Sequence, residues 1–248
     1  MRLIKTIVLF IITGFSMVLF TPAALVLLLV HFAGLKKIAA QALYRIAQTW
    51  ARILIALTGC PMTVRGRENI PKRGPLCFVS NHVGIFDIIL ALAYAGRPFG
   101  FIAKKELLYL PGINLWIYLL GGLFINRGNP RNALKTINEG VRRIKGGNAM
   151  LIFPEGTRSR GRGPAPFHPG SLRLATQAGA PIVPVAITGS YDVFEKTRRV
   201  HAVPLSVSFL PPVDPAGMPP ADRKRLLADQ LHDSIVRTLE THAPPVVS

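Results

Sequence analysis

The sequence predicts an α/β fold: a mixed, largely parallel sheet flanked by helices, carried behind an N-terminal membrane-associated segment of two helices. Three observations predict it. A long uncharged apolar run, Thr6 to Leu35, opens the chain. From Pro61 onward, short apolar runs alternate with stretches of helical period, the pattern of a sheet with parallel neighbours. Polar clusters follow directly after several of the apolar runs, where the ligand crevice of such a sheet lies. Of the 248 residues, 50% are hydrophobic and only 17% charged. That is below the usual quarter and suits a globular core joined to a membrane segment. The division expected is residues 1–60 as anchor and amphipathic helix, and 61–248 as the α/β domain.

The run from Thr6 to Leu35 exceeds the ~20 residues needed to cross a bilayer. Arg2 and Lys5 precede it and Lys36 and Lys37 follow, so the positive-inside rule leaves its orientation open. Pro22 is expected to kink or split it. The run continues well past Ala23 and Ala24, too long for a signal peptide, and an uncleaved anchor, spanning or re-entrant, is expected. In Lys36 to Leu57, the residues Leu43, Ile46, Ala47, Trp50, Ile53, Leu54 and Leu57 recur at helical spacing. Gln41, Arg45, Gln48 and Arg52 fall opposite. Such a helix lies in the headgroup layer or packs on the domain.

In the remainder, strands are expected at Thr63–Arg65, Leu76–Ser80, Gly100–Ala103, Leu123–Ile125, Ala149–Phe153, Ile182–Ile187 and Pro204–Leu210. Helices are expected at Ile85–Tyr94, briefly near Lys104, at Arg131–Lys145, Ser171–Ala178 and Asp222–Leu239. The Arg131–Lys145 helix has Ala133, Leu134, Ile137, Val141 and Ile144 on one face. Pro184 suits an edge strand or a bulge, which would border the pocket. Arg158 to Pro169, rich in Arg, Gly and Pro, reads as a loop.

Lys and Arg outnumber Asp and Glu by 30 to 12. A formal charge of +18 favours anionic partners. Without a basic tail, zinc-finger spacing or aromatic RNA-binding signature, no nucleic acid is expected, and acidic lipids or phosphate-bearing substrates fit better. Cys60 and Cys77 form no CxxC and have no nearby set of histidines, so no metal is expected. Their sparse use fits chemistry facing a reducing cytoplasm.

Three polar clusters carry candidate chemistry. In Asn81-His82-Val83-Gly84-Ile85-Phe86-Asp87, the histidine and aspartate share no helix face. They meet if His82 lies in a loop and Asp87 in the first helical turn. The carboxylate then fixes the imidazole tautomer, and the other nitrogen can take a proton from a hydroxyl. A helix-start aspartate and a polar loop histidine are the plainer alternative. Gly122-Leu123-Phe124-Ile125-Asn126-Arg127 ends in a guanidinium suited to phosphate, with a solvated charge at a strand end as the plainer alternative. In Phe153-Pro154-Glu155-Gly156-Thr157-Arg158-Ser159, Gly156 permits a tight turn. Glu155 and Arg158 would both point from it into a cleft, the first to accept from a substrate hydroxyl and the second to hold phosphate. An ordinary polar turn with a Glu–Arg pair is the plainer alternative.

These blocks, with Val183–Val185, resemble in order the NHxxxxD, GxxFIxR, FPEGTRS and VPV blocks of the glycerolipid acyltransferases, especially the bacterial 1-acyl-sn-glycerol-3-phosphate acyltransferases. The similarity covers roughly residues 60 to 215. It implies a mixed α/β acyltransferase domain behind a two-helix membrane motif. It implies transfer of a fatty acyl group from a thioester, acyl-CoA or acyl carrier protein, to the sn-2 hydroxyl of 1-acyl-sn-glycerol-3-phosphate, giving phosphatidic acid for phospholipid biosynthesis. By position, His82 is the catalytic base and Asp87 its partner, while Arg127, Glu155, Gly156, Thr157 and Arg158 bind the acceptor. No cofactor is implied beyond the thioester co-substrate. The partners are membrane lipids, and the expected location is the inner (cytoplasmic) membrane with the site on its cytoplasmic side. Close relatives often carry Phe-Lys-x-Gly after the third block, where this chain has Phe167-His168-Pro169-Gly170. A permanent charge becomes a titratable one, so other lysophospholipid acceptors stay open. Oxyanion donors are expected among backbone N–H groups near Gly84 or at a strand end. Two other functions stay in view: a lipid hydrolase using Ser80 or Ser190, although no GxSxG elbow occurs, and a non-enzymatic membrane-surface protein.

Overall fold

In the computed structural model of the chain, residues 2–217 and 223–241 are described. Asp222, expected to start the last helix, lies outside them. Two long helices come first, α1 (Arg2–Phe32) and α2 (Lys36–Thr58). They lead into β1 (Met62–Arg65), β2 (Leu76–Ser80), α3 (Phe86–Tyr94) and β3 (Phe99–Lys104). After a 3-10 turn at Lys105–Tyr109 come α4 (Ile113–Leu119), β4 (Leu123–Ile125), α5 (Pro130–Lys145) and β5 (Ala149–Ile152). The chain ends through α6 (Arg173–Thr176), β6 (Ile182–Thr188), α7 (Ser190–Val193), β7 (Leu205–Phe209) and α8 (Arg223–Thr241).

The seven strands form one sheet in the order β1-β7-β6-β2-β5-β3-β4. All neighbours pair in parallel except β6 and β7. The central strands β2, β5 and β6 are buried almost throughout, which their unbroken apolar runs anticipate. Five strands therefore point their carboxyl ends to one edge, and the loops after β2, β4, β5 and β6 gather there. Helices α1, α2 and α3 cover one face, where Tyr44, Leu54, Phe78, Leu90 and Phe99 share a core. Helices α5, α6 and α8 cover the other, around Ile144, Met150, Leu174 and Leu231.

Helix α1 runs unbroken through Pro22. The proline removes one N–H without splitting the segment, and the Thr21 hydroxyl donates to the Met17 carbonyl 2.7 Å away in the same turn. At 31 residues it is about 46 Å long, long and apolar enough to cross a membrane. Most of its apolar side chains, Phe15, Val18 and Leu29 among them, are exposed.

Helix α2 departs from its expected faces. Ile53 and Leu57 are exposed, and the buried stripe includes Ala39, Tyr44, Ala51 and Ile55. Of the polar side, Gln48 and Arg52 both donate to the Ala93 carbonyl, at 3.3 and 3.0 Å. They satisfy the carbonyl end of α3, where a cation is favoured by the helix dipole. Here the packing role is realised.

Pro184 is not at an edge. It lies in β6, between β2 and β7, at an interruption of the antiparallel ladder. Ile182 bridges Val213 while Val185 pairs with Phe209, so the facing chain carries one extra residue, a bulge that absorbs the missing N–H. The helices α4 and α7 were not expected, and α6 is shorter than the Ser171–Ala178 span. Short helices of one or two turns leave little periodic signal.

At Gly100 a Cβ would fall 2.1 Å from the Gly121 carbonyl oxygen and 2.8 Å from Met150 Sδ. Backbone cannot yield as a flexible side chain can. Gly100→Ala is expected to cost about 1–3 kcal/mol, read as a lowered Tm in thermal unfolding.

Candidate active site

The site is built at the carboxyl edge of the sheet, starting from the end of β2. Asn81, almost wholly buried, stands in for a strand residue. Its side chain donates to the Ile187 carbonyl and accepts from the Ile187 N–H, both at 2.9 Å. This locks the loop after β2 to β6. The next four backbone N–H groups all end on carboxylates. His82 donates to Glu155 Oε1 (2.6 Å), Val83 and Gly84 to Asp87 Oδ2 (2.7 and 3.0 Å), and Ile85 to Glu195 Oε2 (2.6 Å). Charge-assisted bonds of this kind are about twice as strong as neutral ones.

Asp87 sits in the first turn of α3, where the helix dipole favours a negative charge. It is fully buried, and its Oδ2 lies 2.6 Å from His82 Nδ1. Its Oδ1 accepts from the Ser190 hydroxyl at the start of α7. Pairing Nδ1 with the carboxylate puts the imidazole proton there and leaves Nε2 unprotonated. Nε2 has no hydrogen-bond partner among the described residues. The ring is 21% exposed and stacks on Phe153, with centroids 4.1 Å apart and planes 18° from parallel. An oriented imidazole with one open nitrogen results, a geometry suited to general-base chemistry.

The turn after β5 behaves differently from expectation. Glu155 does not point into the cleft. It is buried, with Oε1 on the His82 N–H and Oε2 on the Ala165 N–H (2.9 Å). A carboxylate serving two backbone donors stays inside, and it fixes the height of the histidine instead of offering an oxygen to a substrate. Burial raises its pKa above the ordinary value, opposed by the bonds from Ala165 and His82. Arg158 pairs with Glu195 Oε1 at 2.6 Å, not with Glu155. Thr157 is exposed. Gly156 has φ +72°, the left-handed region, and a Cβ there would lie 3.5 Å from the His168 ring and 3.7 Å from Arg127 Nη1. Arg127, Gly156 and His168 are thus brought together. Partial desolvation lowers the Arg127 pKa, with Glu106 opposing, and the group stays cationic.

The sequence reading missed Glu195 and the orienting role of Ser190. Glu195 joins two loops, holding Ile85 with one oxygen and Arg158 with the other. Gly84 makes room for it: a Cβ there would stand 2.6 Å from Glu195 Oε2 and 3.0 Å from the Tyr191 backbone. No local motif marks Glu195. Scarcity is its only signal, since the chain has 12 acidic residues and three serve one loop. The amides near Gly84 are occupied by Asp87 and Glu195, so they are not the oxyanion donors expected of them. Neither serine suits a hydrolase: Ser80 is fully buried and donates to the Asn81 carbonyl, and Ser190 donates to Asp87.

Fold and site together define an α/β enzyme in which a carboxylate-paired histidine stands at the same sheet edge as Arg127 and Arg158, an arrangement suited to deprotonating a hydroxyl near an anionic group. The family model described as Acyltransferase matches residues 61–188, and the chain belongs to that family. It is 34% identical over 198 residues to the 1-acyl-sn-glycerol-3-phosphate acyltransferase of Limnanthes douglasii, covering 79% of this chain and 69% of that one. It is 29% identical over 191 residues to the protein of that name from Borreliella burgdorferi, covering 77% and 76%. The crystal structure of the 1-acyl-sn-glycerophosphate (LPA) acyltransferase PlsC from Thermotoga maritima is similar throughout, with a TM-score of 0.83 at 26% identity over 98% of each chain.

The raised pKa of Glu155 has a sign that can be checked. Between its ordinary and raised values the folded state holds a proton that the unfolded state lacks, so Glu155's unfavourable contribution is full above the raised value and is relieved as pH falls. Against Glu155→Gln, the wild-type Tm is expected to gain as pH drops from neutral into the mildly acidic range. The gain should level off below the ordinary carboxylate pKa.

Proposed function

We propose that this acyltransferase moves a fatty acyl group from a thioester to the sn-2 hydroxyl of 1-acyl-sn-glycerol-3-phosphate, giving phosphatidic acid for phospholipid biosynthesis. The observation that carries the proposal is the His82–Asp87 pair with its open Nε2, at the same sheet edge as Arg127 and Arg158. The names of the relatives point to the same acceptor.

In this mechanism Nε2 takes the hydroxyl proton as the oxygen attacks the thioester carbonyl. The imidazolium that forms is stabilised by Asp87. As the tetrahedral adduct collapses, the C–S bond breaks and the thiolate takes the proton back from His82. The acyl oxygen ester and a free thiol are the products, and no other reagent is needed. Arg127 and Arg158, with Gly156 and Thr157, receive the acceptor phosphate, while Glu155 acts as a positioning residue. Acyl-CoA and acyl carrier protein are both acidic and both suit a surface of +18. Residues 1–60 hold the lipid-engaging part and 61–248 the chemistry, at the cytoplasmic side of the inner membrane.

The test is His82→Ala in purified full-length protein, with acyl-CoA or acyl carrier protein and a panel of lysophospholipids, the product identified by mass. A loss of roughly 10²–10⁴-fold is expected, with lysophosphatidate the best acceptor. Undiminished turnover would remove His82 from the mechanism. Preference for a lysophospholipid without a terminal phosphate would assign the His168 substitution a role in acceptor choice.

A further inference from the structure

The connection between β3 and α4 is unusual for a surface turn. Leu108 (46%), Tyr109 (76%), Leu110 (44%) and Ile113 (38%) are all well exposed, in nearly continuous sequence, and Tyr118 (59%) follows on the next helix. A cluster of large apolar side chains of this kind normally marks a contact surface. Its position says what covers it. Helix α4 packs on α1: the Trp116 indole donates to the Met17 carbonyl at 3.3 Å, and Trp116 shares a core with Ala24 and Leu43. The cluster therefore flanks the helix that is long and apolar enough to cross a membrane. On its other side, Lys104 of β3 pairs in register with Ile125 of β4, two residues before Arg127. Glu106, in the same 3-10 turn, is close enough to act electrostatically on the Arg127 guanidinium. Lys104 and Lys105 stand exposed at the start of the turn, Lys104 in a surface pair with Glu106 at 3.6 Å.

We propose that Leu108–Ile113 is a lipid-inserting loop, seated in the bilayer boundary beside α1, with Tyr109 at the headgroup level and Lys104 and Lys105 against anionic lipid. Apolar side chains with an interfacial tyrosine and flanking lysines are the composition that such a position demands. The proposal rests on the acyltransferase reading for its consequence: a lysolipid passes from the bilayer along this loop to Arg127 without entering water. The loop carries no group that does the chemistry. It is a second contact with lipid, separate in sequence from α1 and α2.

The experiment uses full-length protein. Cys60 and Cys77 are buried, so Leu110→Cys can be labelled selectively with an environment-sensitive nitrobenzoxadiazole probe. Asp233→Cys on α8, across the sheet, is the control. With vesicles of phosphatidylcholine and phosphatidylglycerol, the Leu110 probe is expected to shift to shorter wavelength and to be quenched by nitroxides placed high on the acyl chains, while the Asp233 probe stays unchanged. A Leu110 probe that remains water-like on vesicle-bound protein overturns the proposal, as does failure of the protein to bind vesicles. A shift that follows protein concentration without lipid also overturns it, in favour of a second copy as occupant. The variant Leu108→Ser/Leu110→Ser/Ile113→Ser is expected to raise KM for a vesicle-embedded long-chain lysophosphatidate roughly tenfold. KM for a water-soluble short-chain acceptor should stay unchanged, and an equal rise for both acceptors would contradict the portal. The fluorescence needs no turnover, so it separates failure of the loop proposal from failure of the acyltransferase reading.

Discussion

Four successive N–H groups, from His82 to Ile85, leave the end of β2 with no strand to pair with. Each is met by a carboxylate: Glu155, Asp87 twice, and Glu195. The Gly84 bond is buried, those of His82 and Val83 are half-buried and that of Ile85 is exposed. A donor shielded from water without a partner is costly, and these acceptors come from three separate places in the chain. Asp87 is on the helix that follows, Glu155 is on the turn after β5, and Glu195 lies beyond α7. The loop can hold its shape only if the ends of β2, β5 and β6 stand side by side, and the sheet order provides that. In a chain of net +18, collecting three acids around one short loop also places its scarce negative charge beneath the histidine.

The chemistry follows from this frame. Because Asp87 is held by two amides and the Ser190 hydroxyl, its remaining capacity is directed at Nδ1 of His82. Because Glu155 holds the His82 amide and Phe153 stacks on its ring, the imidazole has one height and one tilt. Glu195 then ties this loop to Arg158. His82 and Arg158 are set relative to each other through Glu195 and the loop it holds, which is preorganisation built from backbone donors. The α1–α2 hairpin shares the core of the face it covers: Leu9, Tyr44 and Leu54 pack in the cluster that holds Phe78 and Leu90. The apolar surface of α1 is thus fixed with respect to the site.

Much of this was legible in the sequence. The strands were visible because the central ones are uniformly apolar, and the His82–Asp87 meeting followed from putting one residue in a loop and the other in the first helical turn. The acyltransferase resemblance rested on four ordered blocks and matched the family found. What stayed hidden depends on distant contacts. Glu155 reads locally as a cleft residue, and only the approach of the His82 and Ala165 amides turns it inward. Arg158 has an acid three residues away and pairs with Glu195, 37 residues on. Gln48 and Arg52 fit a headgroup-facing side as well as a packed one until the end of α3 is brought to them. Pro184 suggests an edge or a bulge, and only the extra residue on the facing chain decides for the bulge. In each case the deciding partner lies on another element, where periodicity carries no information.

The central claim is that the carboxylate-held loop makes His82 a base of one tautomer. The most direct measurement is the turnover of Asp87→Asn, with the fold checked by its Tm. An amide at this position keeps the shape but reverses the preferred proton placement on the imidazole. A fall in kcat of about 10² or more at little-changed KM for the acceptor is the predicted result. A folded Asp87→Asn protein with wild-type kcat would contradict the account.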